Sequence, residues 1–214
     1  MRVLSRFLRA ATDPAHFPPP IFPEIAFLGR SNVGKSSVIN SLLGNKVART
    51  SSAPGRTRAI NFFEVRRPGQ PRPELVFTDL PGYGYAKVAH DVVQQWPTFI
   101  EPYLRERPCL ALCLALVDPN IPPQPSDKEL QEFLGGLGRP FVVVATKCDR
   151  LSGNQLRSAL ATLAEEFEHK PILAYSARTG DGREGLWKKI REATAPYGQT
   201  QSGTNPETGL RPQP

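Results

Sequence analysis

Short apolar runs alternate with helical patterns along most of this 214-residue chain. Several of the runs are continuously apolar, which is typical of strands that helices cover on both faces. The predicted strands are Ile25–Leu28, Ile60–Val65, Leu75–Thr78, Leu110–Val117, Phe141–Ala145 and Ile172–Tyr175. The predicted helices are Lys35–Leu43, Asp91–Arg105, Asp127–Leu137, Asn154–Glu168 and Glu184–Ala193. The alternation predicts an α/β fold with a doubly wound, mostly parallel six-stranded sheet, helices on both faces, and ligands at the carboxyl ends of the strands.

One connection between predicted strands is too short for a parallel crossover. Residues 66–73, rich in Pro, Gly and Arg, separate the second run from the third. Two parallel strands need a crossover of about a dozen residues or more, whereas a hairpin needs only a few. We therefore expect a hairpin here, and with it one antiparallel strand.

The two ends of the chain differ in composition from the middle. Prolines are frequent in residues 13–23, so we expect residues 1–23 to be a partly extended N-terminal extension. For residues 1–12 a short helix is favoured, although their arginines could instead contact RNA or an anionic surface. Residues 196–214 contain almost no apolar side chains and are predicted to be a disordered tail. One α/β domain over residues 24–195 remains.

Charge and cysteine content limit the setting. The 27 Lys and Arg against 20 Asp and Glu give a net charge of +7, which suits binding to RNA but equally serves solubility. The cysteines lack the spacing of a metal site or disulfide framework, which favours a reducing, cytoplasmic location. The longest apolar stretch, Cys109–Val117, is too short to span a bilayer. We expect a monomer without a membrane span.

A phosphate-binding motif follows the first predicted strand. Residues 29–36 read GRSNVGKS and match G-x-x-x-x-G-K-[ST], with a predicted helix directly after them. The glycines let the backbone turn so that its amides and the helix N-terminus face phosphate oxygens. Lys35 would reach the β and γ phosphates and Ser36 would bind Mg²⁺. This motif predicts a P-loop NTPase but does not choose between ATP and GTP.

The choice of base rests on the end of the fifth predicted strand. Residues 146–149 read TKCD, and the Asp149 carboxylate can accept hydrogen bonds from the ring N–H and exocyclic amine of guanine. Adenine offers no such pair of donors. Lys147 would lay its stem across the base, and residues 176–178 (SAR) would add a backbone amide to the guanine oxygen. Each segment is a weak signal alone, but together after the P-loop they favour a Ras-like GTPase.

Two further segments would sense the γ phosphate. Asp79, which begins the sequence DLPG, would hold Mg²⁺ through water, and the amide of Gly82 would contact the γ phosphate. Thr57, within a Pro/Gly/Ser-rich stretch, is the natural second hydroxyl ligand of Mg²⁺ in the triphosphate state. The alternative for this stretch is an ordinary turn before a strand.

Residue 83 bears on the rate of hydrolysis. Many GTPases place a glutamine after D-x-x-G to orient the attacking water, but this chain has Tyr83. We therefore expect slow intrinsic hydrolysis that needs help from a partner, an ion or a neighbouring residue. Asn32 could help to bind K⁺ beside the phosphates, or it could only brace the loop. Arg56 and Arg58 could place positive charge near the phosphoryl group, or contact RNA.

With these motifs in place, the chain resembles the EngB (YihA/YsxC) family of bacterial GTPases. The resemblance rests on GRSNVGKSS at residues 29–37, PGRT at 54–57 and the unusual DLPGYGYAK at 79–87, and it extends over residues 24–193. It implies a TrmE/Era/EngA/EngB-type P-loop fold, Mg²⁺, hydrolysis of GTP to GDP, and a role in late assembly of the large ribosomal subunit, with effects on division and septation. The SAR sequence at 176–178 departs from the serine-rich version of this family, which leaves its side-chain contacts open.

The expected site follows from the motifs and the resemblance together. The expected catalytic residues are Lys35, Thr57 and Gly82, and the expected Mg²⁺ ligands are Ser36, Thr57 and Asp79. The residues expected to bind GTP lie in five segments: Gly29, Arg30, Ser31, Asn32, Val33, Gly34, Lys35, Ser36 and Ser37; Gly55, Arg56, Thr57, Arg58 and Ala59; Asp79, Leu80, Pro81 and Gly82; Thr146, Lys147, Cys148 and Asp149; and Tyr175, Ser176, Ala177 and Arg178.

Three functions are compatible with such a site. The first is a GTP-driven assembly factor whose partners are the large ribosomal subunit or its precursors, which suits arginines expected beside the switch segments (Arg56, Arg58, Arg66 and Arg67). The second is a division or septation protein whose nucleotide state controls a protein partner. The third, an ATPase or small-molecule kinase, is disfavoured by Asp149.

Overall fold

The computed structural model describes residues 2–48, 59–83, 96, 98–168 and 171–200. The strands are β1 (Leu4–Ala11), β2 (Glu24–Gly29), β3 (Ile60–Arg66), β4 (Leu75–Asp79), β5 (Leu110–Val117), β6 (Phe141–Ala145) and β7 (Ile172–Ala174). The α-helices are α1 (Lys35–Leu43), α2 (Ile100–Glu106), α3 (Pro125–Gly136), α4 (Gly153–Glu166) and α5 (Arg183–Thr200). Short 3₁₀ turns occupy Pro14–His16 and Cys148–Arg150.

The described strands form one sheet in the order β1-β3-β4-β2-β5-β6-β7. Strand β3 pairs antiparallel with both β1 and β4, and the remaining pairs are parallel. The predicted hairpin and the single reversed strand are therefore confirmed. The carboxyl ends of β2, β4, β5, β6 and β7 meet at one edge of the sheet, where a doubly wound fold binds its ligands.

The sheet has seven strands among the described residues, not six, because the start of the chain is a strand. The short helix predicted for residues 1–12 is therefore wrong. Strand β1 runs along β3 from the pair Leu4–Arg66 to the pair Ala11–Ile60. Phe7 packs edge-on against Phe63, with ring centroids 5.7 Å apart. A short segment of arginines, leucines and alanines has no strong local preference, so backbone pairing with a distant strand decides its structure.

Helices cover both faces of the sheet and divide the core in two. On one face α1 and α5 pack on the strands, and Trp187 of α5 stacks on Phe77 of β4 with centroids 5.7 Å apart. On the other face α2 and α3 contribute Ile100, Leu104 and Leu130, all at most 1% exposed. These two layers hold the strand ends, and hence the loops that follow them, in fixed relative positions.

The last helix is longer than its sequence predicts. Helix α5 continues to Thr200 although Pro196 lies inside it, so the helix overlaps the first residues of the predicted disordered tail. Ala193 and Tyr197 pack against the core, and this packing compensates for the hydrogen bond that a proline cannot donate. Residues 201–214 of the predicted tail and most of the predicted helix Asp91–Arg105 lie outside the described residues.

The described part of the chain contains neither a membrane-spanning helix nor a disulfide. No helix there is long and apolar enough to cross a membrane. The thiols of Cys109, Cys113 and Cys148 are free and buried.

A buried polar network lies at the end of the sheet opposite the carboxyl ends of the parallel strands. The Arg107 guanidinium donates to both carboxylate oxygens of Glu24, at 3.0 and 2.6 Å, and the two side chains are 8% and 2% exposed. The Tyr103 hydroxyl donates to the same carboxylate at 2.8 Å. Arg107 also donates to the carbonyl of Pro18. The network thus joins the proline-rich entry, β2 and the end of α2.

Replacing Arg107 by Met should destabilise the protein by about 3–5 kcal/mol, because it leaves the Glu24 carboxylate buried without a cation. The free energy of unfolding from urea denaturation measures the loss. A matched double variant, Glu24→Gln with Arg107→Met, removes the charge but keeps an acceptor for Tyr103, so it should recover part of the stability. Wild-type stability of the single variant would contradict this account.

Candidate nucleotide-binding site

The loop after β2 has the geometry of an anion-binding cradle. Gly29 ends the strand, and a Cβ there would lie 2.8 Å from the carbonyl oxygen of Leu116, so only glycine fits. Gly34 caps α1 in the left-handed region at φ 110°. The first amides of α1 have no helical acceptor and carry the positive end of the helix dipole. The loop therefore presents several donors to one point, as phosphate binding requires.

Lys35 and Asp79 bring opposite charges together beneath this loop. The Lys35 ammonium donates to the Gly29 carbonyl at 3.1 Å. Burial lowers the pKa of Lys35, and the charge of Asp79 opposes that shift. Burial raises the pKa of Asp79 to about 6, against the effects of Lys35 and of a hydrogen bond with Ser36. The attraction between the two charges therefore offsets only part of the cost of burying each of them.

The segment after β4 lies directly against the cradle. The amide of Ser31 donates to the carbonyl of Tyr83 at 2.9 Å, and Arg30 and Tyr83 form a parallel β-bridge. A Cβ on Gly82 would lie 3.0 Å from the Lys35 ammonium and from two atoms of Ser31. A side chain at residue 82 would therefore crowd the lysine and Ser31, and glycine avoids this contact.

The loop after β6 holds the cradle from behind. The Thr146 hydroxyl donates to the carbonyl of Val33 at 2.6 Å. The Lys147 ammonium donates to the carbonyl of Asn32 and to the carboxylate of Asp118, each at 2.7 Å. Lys147 itself is left-handed, at φ 55°. The bond to the Val33 carbonyl leaves the amide of Gly34 on the other side of its peptide unit, whereas the amide of Val33 donates to the carbonyl of Arg30.

Asp118 is a site residue that the sequence reasoning missed. It follows β5 directly and accepts hydrogen bonds from the amide and side chain of Asn120 as well as from Lys147. Burial alone would raise the pKa of Asp118, but these hydrogen bonds outweigh burial and lower it. The sequence signal that could have indicated Asp118 is its position directly after β5, a predicted strand that pairs with the P-loop strand β2. It holds the ammonium of Lys147 in place.

The carboxylate of Asp149 is oriented by the loop after β7. The Ser176 hydroxyl donates to Asp149 Oδ1 at 2.6 Å. The guanidinium of Arg178 lies 3.7 Å from Oδ2, but its side chain is 83% exposed, so this ion pair contributes little. The amide of Cys148 donates to the carbonyl of Tyr175 at 3.2 Å, which joins the two loops through their backbones. Asp149 therefore faces a potential ligand in a fixed orientation.

The structure brings together four of the five predicted segments. Residues 29–37, 79–82, 146–149 and 175–178 lie at the ends of β2, β4, β6 and β7 and are joined by the contacts above. Ala59 lies directly before β3. The predicted residues Gly55, Arg56, Thr57 and Arg58 lie outside the described residues.

Tyr83 and two arginines have positions that the sequence did not indicate. The Tyr83 side chain is 1% exposed, and its hydroxyl donates to Asp127 Oδ1 in α3 at 3.0 Å. It therefore packs into the core. Arg66 and Arg67 were expected beside the switch segments, but β3 runs away from the site, so they lie at the opposite edge of the sheet. Arg67 is paired there with Glu74.

Comparison with known proteins agrees with this geometry. A family model described as a 50S ribosome-binding GTPase matches residues 24–147. The "Probable GTP-binding protein EngB" of Koribacter versatilis is 58% identical over 193 residues, which are 90% of this chain and 95% of that protein. The protein of the same name from Acidobacterium capsulatum is 58% identical over 196 residues, 91% of this chain and 93% of that protein.

A solved structure is similar as well. The crystal structure of a probable GTP-binding protein engB superposes with a TM-score of 0.60 at 27% identity, over 81% of this chain and 99% of that one. Matches of this extent and identity, together with the cradle and the strand-end loops around it, lead to one assignment. The chain belongs to the EngB family of GTP-binding proteins and is a P-loop GTPase.

Proposed function

We propose that this GTPase is a switch in the assembly of the large ribosomal subunit. The observation that carries the proposal is the match of residues 24–147 to a ribosome-binding GTPase family, in a chain whose four described site segments are joined into one nucleotide site. Its net charge of +7 suits a partner made largely of RNA. The protein would act in the cytoplasm as a monomer, and effects on division and septation would follow from failed ribosome assembly.

The nucleotide phosphates would lie on the cradle of residues 29–37. The amides of the loop and the first turn of α1 would donate to phosphate oxygens. Lys35 would exchange its contact with the Gly29 carbonyl for the β and γ phosphates, which compensate its desolvated charge better than a neutral carbonyl does. The amide of Gly82 would contact the γ phosphate and distinguish GTP from GDP.

The residues present fit a Mg²⁺ ion bound together with the nucleotide. Asp79 Oδ1 is buried without a hydrogen-bond partner among the described residues, and Ser36 lies close enough to the same carboxylate to lower its pKa. No group of three His, Cys, Asp or Glu that could hold a metal by itself occurs among the described residues, so phosphate oxygens would have to complete the coordination. Ser36 and Asp79 would hold the ion. Thr57, which lies outside the described residues, would be a further ligand. Bound there, Mg²⁺ neutralises charge on the phosphates.

Guanine would be recognised by Asp149. Ser176 occupies one lone-pair direction of its carboxylate and fixes its plane, so both oxygens remain able to accept from the base. Lys147, held between the Asn32 carbonyl and Asp118, would place its stem over the base. Both contacts require the loop geometry that Thr146 anchors.

Hydrolysis would be slow without assistance. The Tyr83 side chain is buried against α3, so it does not replace the water-orienting glutamine of other GTPases. Asn32 remains the candidate for holding K⁺. Its side chain is exposed, while its left-handed backbone, at φ 64°, is a conformation that asparagine tolerates well. The residue could thus be present for its backbone alone.

Asp149→Asn should weaken GDP binding by about 10²–10⁴-fold, since two hydrogen bonds to a charged acceptor are lost. It should favour xanthosine diphosphate, because the amide then offers a donor to a ring carbonyl. Titration with fluorescent nucleotides measures both affinities. Unchanged GDP affinity would mean that Asp149 does not touch the base.

Replacing Na⁺ by K⁺ should speed GTP hydrolysis by about tenfold or more if Asn32 holds an ion beside the phosphates. The matched control is Asn32→Gly, which keeps the left-handed backbone but lacks the amide, and this variant should lose the K⁺ effect. Phosphate release in the two salts gives the rates. Equal rates for the unsubstituted protein would remove the K⁺ site.

The switch itself is tested by sedimentation of the protein with large ribosomal subunits. We expect cosedimentation in a non-hydrolysable GTP analogue and release in GDP. Equal binding in both states would contradict a switch. No binding in either state, to mature or to immature subunits, would overturn the ribosomal role and favour a division protein as partner.

A further inference from the structure

Tyr83 contacts two separate parts of the protein, the cradle loop and helix α3. Its backbone is paired with the cradle, through the bridge to Arg30 and the bond from Ser31. Its side chain belongs to the opposite layer, where the hydroxyl reaches Asp127 in the first turn of α3. The ring also packs edge-on against Trp96, at 6.1 Å between centroids, and Trp96 packs on Phe133 of α3 at 5.9 Å.

The acceptor of this bond is a costly group to bury. Asp127 is 5% exposed, and burial raises its pKa to about 6 against the favourable effects of the Tyr83 hydroxyl and the Arg30 charge. Arg30 Nε is itself buried and has no hydrogen-bond partner among the described residues. Removing the Tyr83 hydroxyl would therefore leave a buried carboxylate with one fewer donor, which is more than the loss of a surface contact.

The bond is next to the γ-phosphate sensor. Gly82 precedes Tyr83, and its position against Lys35 and Ser31 is the arrangement in which its amide would meet a γ phosphate. With residue 83 held on both sides, Gly82 has little freedom to withdraw while the hydroxyl stays on Asp127. A contact that favours one conformation also favours the ligand which needs that conformation.

The geometry points to the Tyr83–Asp127 hydrogen bond as a latch that holds the γ-phosphate sensor against the cradle and couples it to α3. Tyr83 is thereby a positioning residue of the GTPase and not a substitute for the water-orienting glutamine. The inference rests on the proposed placement of the γ phosphate at Gly82. Breaking the latch should weaken a GTP analogue more than GDP, since only the triphosphate needs Gly82 in place.

The test compares Tyr83→Phe with the unsubstituted protein in its affinities for a non-hydrolysable GTP analogue and for GDP. We expect the ratio of the affinity for the analogue to the affinity for GDP to fall about tenfold. Asp127→Leu should reproduce this fall, and adding it to Tyr83→Phe should change the ratio little further, because both remove the same contact. Asp127→Asn keeps an acceptor oxygen and should stay within about threefold of the unsubstituted ratio.

Tyr103→Phe is the matched control. It also removes a buried hydroxyl that donates to a buried carboxylate, that of Glu24, and contacts Thr78 in β4, but this hydroxyl bonds to neither the cradle nor α3. It should lower the unfolding midpoint as Tyr83→Phe does and leave the affinity ratio unchanged. An unchanged ratio in Tyr83→Phe, or equal shifts in both tyrosine variants, would overturn the latch. Failure of the unsubstituted protein to bind either guanine nucleotide would instead overturn the proposed site.

Discussion

The site depends on hydrogen bonds that pull the carbonyls of the cradle loop backward. Thr146 binds the carbonyl of Val33, and Lys147 binds the carbonyl of Asn32. A peptide unit whose oxygen is held on one side presents its N–H on the other, so the bond from Thr146 to the Val33 carbonyl orients the amide of Gly34. The amide of Val33 instead donates to the carbonyl of Arg30, so the bond from Lys147 to Asn32 holds the loop without orienting a free donor. The loop after β6 and the loop after β2 are in this way held together as one unit.

Lys35 and Asp79 are buried charges in the cradle, and a bound ligand would offset the cost of their desolvation. Desolvation acts against the charged form of both Lys35 and Asp79, and each only partly compensates the other. A dianionic phosphate with its cation would supply the missing partner to both groups. The cost of burying these two charges in the free protein would then be offset when the ligand binds, as is common where function and stability compete.

The sequence predicted what local pattern controls. The bounds of α1, β5 and β6 agree with the prediction, because apolar continuity and the glycines around the cradle are local signals. The P-loop and the TKCD loop were found for the same reason. Two failures required distant partners, since β1 needs β3 and Asp118 needs Lys147. The place of Arg66 instead follows from the predicted hairpin itself, whose reversed strand carries it away from the site. Tyr83 was noticed only as an absent glutamine, since its bond to Asp127 crosses 44 positions of the chain.

Strand β1 also affects the order in which the sheet can form. The β3–β4 hairpin is the most local strand pair described, whereas β1 is made first but must wait for β3 before it has a partner. Until then its unpaired backbone donors and acceptors are exposed, and afterwards it covers those of β3. The pairing of β1 with β3 therefore bridges a longer stretch of chain than the β3–β4 hairpin does, and the strands that carry the nucleotide site, β2 and β4–β7, pair without β1.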